Sequence, residues 1–291
     1  GRVRNWISKV VKRAYGFQGY FQLYNMPFKL IDRFDYCEKR DLFRPGGMNK
    51  GKSIFDHLEG SGVSFHCSDW RQPEDTNLES LQDSLVKGEI SFAFLYLASM
   101  DGLLHQVGKS SKQVDDKLEW YEHRLRKLMA LAREHYSEVR LFVCSDHGMA
   151  TVEQTVDIGR KVNALGLDEG RDFVATYDST MARFWFYSDT ARQRISTLLS
   201  NMPEGRILTD KELQALGCDF DNQQYGELIF LLDAGVIIVP SHMGTRPITG
   251  MHGYHPDHPD SDASLLSNVP PPVRSECITD VFHLMRAEAG A

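Results

Sequence analysis

Ile90-Ser-Phe-Ala-Phe-Leu-Tyr-Leu97 is a continuous apolar run of the length expected for a strand buried on both faces, and it leads within a few residues to Asp101 and His105. An amphipathic helix carrying Leu78, Leu81 and Leu85 precedes it. A long helix is predicted behind it, because Leu118, Tyr121, Leu125, Leu128 and Ala132 recur at three- and four-residue steps with charged residues between them. That helix ends before Val139-Arg-Leu-Phe-Val-Cys144, a second strand, which runs into Asp146 and His147. Strand, helix, strand in this order implies a right-handed crossover between parallel neighbours, hence an α/β sheet. In such sheets chemistry collects beyond the carboxyl ends of the strands.

Working outward, residues 76–150 form the α/β core, and residues 1–75 read as a peripheral segment without an apolar strand of its own. The latter opens on a basic helix with Ile7, Val10, Val11 and Ala14 at helical spacing, followed by pieces punctuated by Pro27 and Pro45-Gly46-Gly47. Residues 151–245 change to an α+β pattern, an inserted lobe: strands Phe173–Tyr177 and Ala182–Tyr187, a helix Thr190–Leu199, and a capping box Thr209-Asp-Lys-Glu212. Leu228–Val239 reads as two strands hairpinned at Asp233-Ala-Gly235. Residues 246–291 return to the core, with Pro270-Pro-Pro272 ahead of a terminal helix.

Of 291 residues, 42% are hydrophobic and 25% charged, which suits a chain with a substantial core. The formal charge of −7, from 33 basic and 40 acidic side chains, disfavours a nucleic-acid duplex or an anionic membrane as partner. A phosphate-bearing substrate would have to meet positive charge locally, as a bound metal provides. No apolar stretch reaches the roughly 20 residues of a membrane span. The five cysteines, Cys37, Cys67, Cys144, Cys218 and Cys277, are widely spaced with no CxxC pair, which favours a reducing, cytoplasmic compartment over a disulfide framework.

Three segments carry chemistry. In the first, Asp101 and His105 stand four apart, so on one helical turn carboxylate and imidazole could grip one cation; the alternative is an N-cap Asp beside an unrelated His. In the second, Ser145-Asp146-His147-Gly148-Met149, two metal-competent side chains end a strand, although Asp and Gly also make ordinary turns. The third, Gly250-Met-His252-Gly-Tyr-His255, sets glycines around His252 and lets an imidazole enter a crowded site, while His255, His258 and the nearby aspartates fit a polar surface loop. His242, before Met243-Gly244, reads as a surface histidine. Arg183 reads as an outward strand residue rather than a phosphate clamp, and Phe184, Trp185 and Phe186 as lobe core.

In this order the three segments resemble the alkaline phosphatase superfamily, specifically its type I phosphodiesterase and nucleotide pyrophosphatase branch, over about residues 76–150 and 226–291. The resemblance implies an alkaline-phosphatase-like α/β sheet with helices on both faces, plus a smaller inserted α+β lobe. It further implies two divalent metal ions, zinc by ligand type, and a small-molecule phosphoester substrate. One ion would take Asp101, His105 and His252; the other would take Asp146 and His147 together with an earlier Asp and a nucleophilic Thr or Ser. Two such ions can clamp the attacking and leaving oxygens of an in-line phosphoryl displacement.

The chain departs from the family at its start. Asp32, Asp35 and Asp41 follow no apolar strand, and no Thr- or Ser-bearing helix start resembles the nucleophile segment, so the sequence reads as the carboxyl-terminal portion of a larger enzyme, inactive alone. Sulfatase, phosphonate hydrolase or phosphomutase chemistry on the same scaffold, and a non-catalytic binding module, are the alternatives.

Overall fold

The helical periodicities and short apolar runs become alternating helices and strands in the computed structural model of the protein, which describes residues 2–25, 27–33 and 39–291. In chain order these are α1 (Arg2–Ala14), α2 (Ile54–Gly60), β1 (Phe65–Cys67), α3 (Glu74–Lys87), β2 (Phe92–Phe94), α4 (Ser99–Val107), α5 (Lys112–His135), β3 (Phe142–Cys144), β4 (Ala150–Thr151) and β5 (Gln154–Val156). There follow α6 (Ile158–Asn163), β6 (Phe173–Tyr177), β7 (Met181–Phe186), α7 (Asp189–Ser200), β8 (Gly205–Ile207), α8 (Asp210–Ala215), β9 (Leu228–Leu232), β10 (Val236–Ile238), β11 (Gly250–Met251), β12 (Leu265–Ser267) and α9 (Asp280–Ala289). Asp35 and Cys37 lie outside the described residues, and of Asp32 only the backbone is described. No helix among the described residues is long and apolar enough to cross a membrane.

The apolar stripes predicted for α3 and α5 meet one another in part: Leu78 and Leu81 bury against Leu128, with Ile90, Leu95 and Leu97 packed at the same cluster, while Leu118, read into the α5 stripe, is exposed. This docks the segment before the first motif onto the two helices. Ser111 opens α5 by accepting the Gln113 N–H, and Gly88 closes α3 in the left-handed conformation that favours glycine. The largest core lies further along the chain. Phe173, Ala175, Phe184, Phe230 and Leu232 of a four-stranded antiparallel sheet, order β6-β7-β9-β8, bury against Ala191, Ile195 and Leu199 of α7. Ser188 caps α7 through the Ala191 N–H, and the Thr209–Glu212 capping box forms as the sequence predicts.

Strand pairing differs from the sequence expectation. The runs before Asp101 and Asp146 are not parallel neighbours: β2 pairs with β1 in parallel, and β3 pairs with β12 antiparallel. Neither is buried on both faces; both are three-residue strands with exposed positions. Strand β1 itself falls in the segment read as strandless. The Asp233–Gly235 turn forms, with the Val236 N–H donating to the Asp233 carbonyl at 3.1 Å. It joins no hairpin, because β9 enters the four-stranded sheet while β10 pairs in parallel with β5. Each strand takes the partner that long-range packing offers, and a turn signal does not select among partners.

Candidate metal centre

Four residues link the end of β2 to helix α4, which carries Asp101 and His105 one turn apart on the same face. The His105 Nε2 lies 3.3 Å from the Asp101 Oδ1. The same oxygen is 3.6 Å from Nε2 of His252, which arrives just after β11. The ligand atoms of Asp101, His105 and His252 all lie within 4.8 Å of one another. Asp101 Oδ1 is buried and has no hydrogen-bond partner among the described residues, although it faces two ring nitrogens.

The approach of β11 to α4 makes this convergence possible. A side chain at Gly250 would place its Cβ 2.5 Å from the Leu104 carbonyl oxygen, so only glycine lets the strand lie so close to the helix. The contact is used twice: the Thr249 N–H donates to the His105 carbonyl at 2.9 Å, and His105 Nδ1 lies 2.8 Å from the Gly250 carbonyl oxygen. A carbonyl can only accept, so this hydrogen bond places the His105 proton on Nδ1 and leaves the Nε2 lone pair facing Asp101.

At the end of β3 a second pair stands beside the first set. His147 Nε2 is 3.4 Å from Asp146 Oδ1, and Nδ1 lies 2.9 Å from the Gly148 carbonyl, which fixes the same tautomer. The His147 ring stacks on that of His252, whose ring also approaches His105 with centroids 5.2 Å apart. Burial pushes His252 below the ordinary imidazole value; the neighbouring His147 adds to this and the Asp101 carboxylate partly offsets it. All five residues singled out in the sequence therefore gather at one place.

Other predicted roles fall out differently. His242 is 8% exposed rather than on the surface; it packs edge-on to Tyr177, and burial lowers its basicity. Arg183 lies on the face of β7 opposite Ala182 and Phe184, half-buried, with Nε making no hydrogen bond among the described residues. Phe184 and Phe186 belong to the core as expected, and Trp185 Nε1 donates to the Gln223 carbonyl. Asp41 is tied to Arg71 at 2.7 Å and to Trp70 Nε1 at 3.2 Å. The sequence reading missed Tyr96, which follows β2. Burial and the carboxylates of Asp146 and Asp101 hold its phenol above the ordinary value, so it senses both acids of the site.

Residues 10–255 match the sequence model of the family described as Type I phosphodiesterase / nucleotide pyrophosphatase. No curated protein matches the chain at a significant level. Human ectonucleotide pyrophosphatase / phosphodiesterase 5 superposes with a TM-score of 0.64 over 80% of this chain and 68% of its own, at 15% identity. The murine protein of the same name gives 0.65 over 81% and 70%, at 17% identity. Phosphonoacetate hydrolase from Sinorhizobium meliloti 1021, solved with phosphonoacetate, gives 0.54 over 74% of this chain and 56% of its own, at 13% identity. What is shared at such identities is the fold, an alkaline-phosphatase-like α/β architecture.

Proposed function

Because this chain belongs to the type I phosphodiesterase / nucleotide pyrophosphatase family of phosphoester hydrolases, we propose that it acts on phosphodiester or nucleotide pyrophosphate bonds through a centre of two divalent cations. Asp101, His105 and His252 would hold one ion, and Asp146 and His147 would contribute to the second. The observation that carries this reading is the buried Asp101 Oδ1, which has no hydrogen-bond partner among the described residues and is flanked by two imidazole Nε2 atoms at 3.3 and 3.6 Å. A carboxylate oxygen is unlike most buried acceptors in that a cation satisfies it better than an imidazole lone pair does. One carboxylate and two neutral imidazoles form a donor set suited to zinc.

In such a site the chemistry supplied is Lewis-acid stabilisation of charge on the phosphoryl oxygens. The protein's part is orientation. The Gly250 and Gly148 carbonyls accept from Nδ1 of His105 and His147, an orientation that turns both Nε2 atoms toward the site. Two hydroxyls near the site make contacts within the fold: Ser145 Oγ accepts from the Ser264 N–H, and Thr180 Oγ1 donates to the Gly253 carbonyl. No Thr- or Ser-bearing helix start of the family's nucleophile type is read in the sequence, and we expect the 291-residue chain alone to hydrolyse a nitrophenyl phosphodiester slowly or not at all. Residues 151–245 would serve as an inserted lobe beside this centre.

The test is elemental analysis after equilibration with Zn²⁺ and removal of the excess. The wild-type chain should retain zinc, and Asp101→Ala and His252→Ala should each lose it from the triad. Equal zinc in all three would overturn the assignment.

A further inference from the structure

Helix α4 bears two of the candidate ligands, yet it is poorly fixed by its own means. None of its residues is buried, and its N-cap, Ala98, has no side chain with which to bond the first amides. The free N–H groups at a helix start need acceptors, and a negative charge there is favourable. Here the acceptor comes from another helix. Ser99 N–H donates to Glu74 Oε1 at 2.8 Å, from the first residue of α3. The same oxygen accepts the Tyr121 hydroxyl of α5 at 2.7 Å, and Oε2 accepts Lys117 Nζ at 2.6 Å.

Glu74 is 9% exposed at its side chain, and Lys117 is pressed over the Trp120 ring, 3.8 Å from its centroid. Burial alone would raise the Glu74 carboxyl; the bonds from Lys117, Ser99 and Tyr121 outweigh this and hold it below its ordinary value, so it stays charged. A buried ion pair of this kind adds little net stability compared with apolar packing, but it fixes geometry.

We propose that Glu74, braced by Lys117 and Tyr121, is a positioning residue that caps α4 from outside and sets Asp101 and His105 in register with His252. The proposal rests on the metal-centre reading above. Asp101 stands two positions after Ser99, so a shift of the first turn carries the carboxylate with it, and ligand sets tolerate displacements of only about 0.5 Å.

The experiment compares the 291-residue wild-type chain with Glu74→Gln and Tyr121→Phe. The second variant removes a single oxygen and keeps the α5 packing, so it reports even if the first folds poorly. Zinc affinity is measured by chelator competition well below the unfolding temperature, and amide hydrogen exchange is followed at Ser99 and Met100 without metal. Outer-shell changes at metal sites cost about 10- to 100-fold in affinity; we expect about 10-fold or more for Glu74→Gln, a smaller loss for Tyr121→Phe, and faster exchange of both amides in each. If the wild type holds zinc and the variants hold it equally well, or if the amides exchange at wild-type rates, the positioning role is overturned and the metal centre stands. If the wild type holds no zinc, the metal-centre reading falls and this inference with it.

Discussion

The imidazole of His147 lies flat on that of His252, with ring centroids 3.6 Å apart and planes 15° apart. This stack joins the end of β3 to the loop after β11, and so ties the Asp146–His147 pair to the triad of Asp101, His105 and His252. Residues more than a hundred positions apart become one centre through two rings whose faces exclude water from each other.

Replacing His147 with Phe preserves a stacking face while removing a proposed ligand. His147→Phe should therefore retain zinc at the triad and lose it from the second position, with stability changed by no more than about 1 kcal/mol. Elemental analysis together with thermal unfolding reads both. Loss of all zinc from a folded variant would show that the two halves are not separable.

Gly250→Ala should damage the centre without touching a ligand. The new Cβ would meet the Leu104 carbonyl oxygen at 2.5 Å and the Met149 sulfur at 3.1 Å, so β11 must retreat from α4. We expect a cost of about 1–3 kcal/mol. Zinc affinity should fall with it, because the His105 Nδ1 loses its carbonyl partner. Wild-type affinity in this variant would mean that the hydrogen bond does not orient the ring.

Away from the site, His66 gives the protein a pH dependence of known sign. Burial pushes its basicity below the ordinary value of 6.5; Nδ1 meets Ser84 Oγ at 2.9 Å, and Nε2 has no partner among the described residues. Below 6.5 the unfolded chain binds a proton that the folded chain refuses, so stability falls as pH drops from 6.5 toward the lower folded value, and this residue adds no slope above it. Its share of the slope is at most about 1.4 kcal/mol per pH unit. Chemical denaturation of wild type and His66→Gln at several pH values should show a shallower fall in the variant; parallel curves would contradict it.

The candidate ligands were legible from short motifs: Asp101, His105, Asp146 and His147 follow apolar runs and His252 stands between glycines, where side-chain type and spacing suffice. The buried stripes of α3 and α5 and the Thr209–Glu212 capping box were legible for the same reason: period and caps are local properties. Pairing was not. Strand β1, Phe65-His-Cys67, is too short to show a period, and which edge β3 or β10 joins depends on segments far along the chain. Nor could the supports of the site be read. The partners of Glu74 stand 25, 43 and 47 positions away, and the acceptor of His105 stands 145 positions away. Nothing local distinguishes Glu74 from any acidic residue in a first helical turn.

The most direct test of the metal centre is anomalous diffraction from crystals equilibrated with Zn²⁺, recorded on both sides of the zinc absorption edge. An anomalous peak bounded by Asp101 Oδ1, His105 Nε2 and His252 Nε2 is the predicted result. Crystals whose only zinc peaks lie elsewhere on the molecule, with those three side chains left bare, would contradict it.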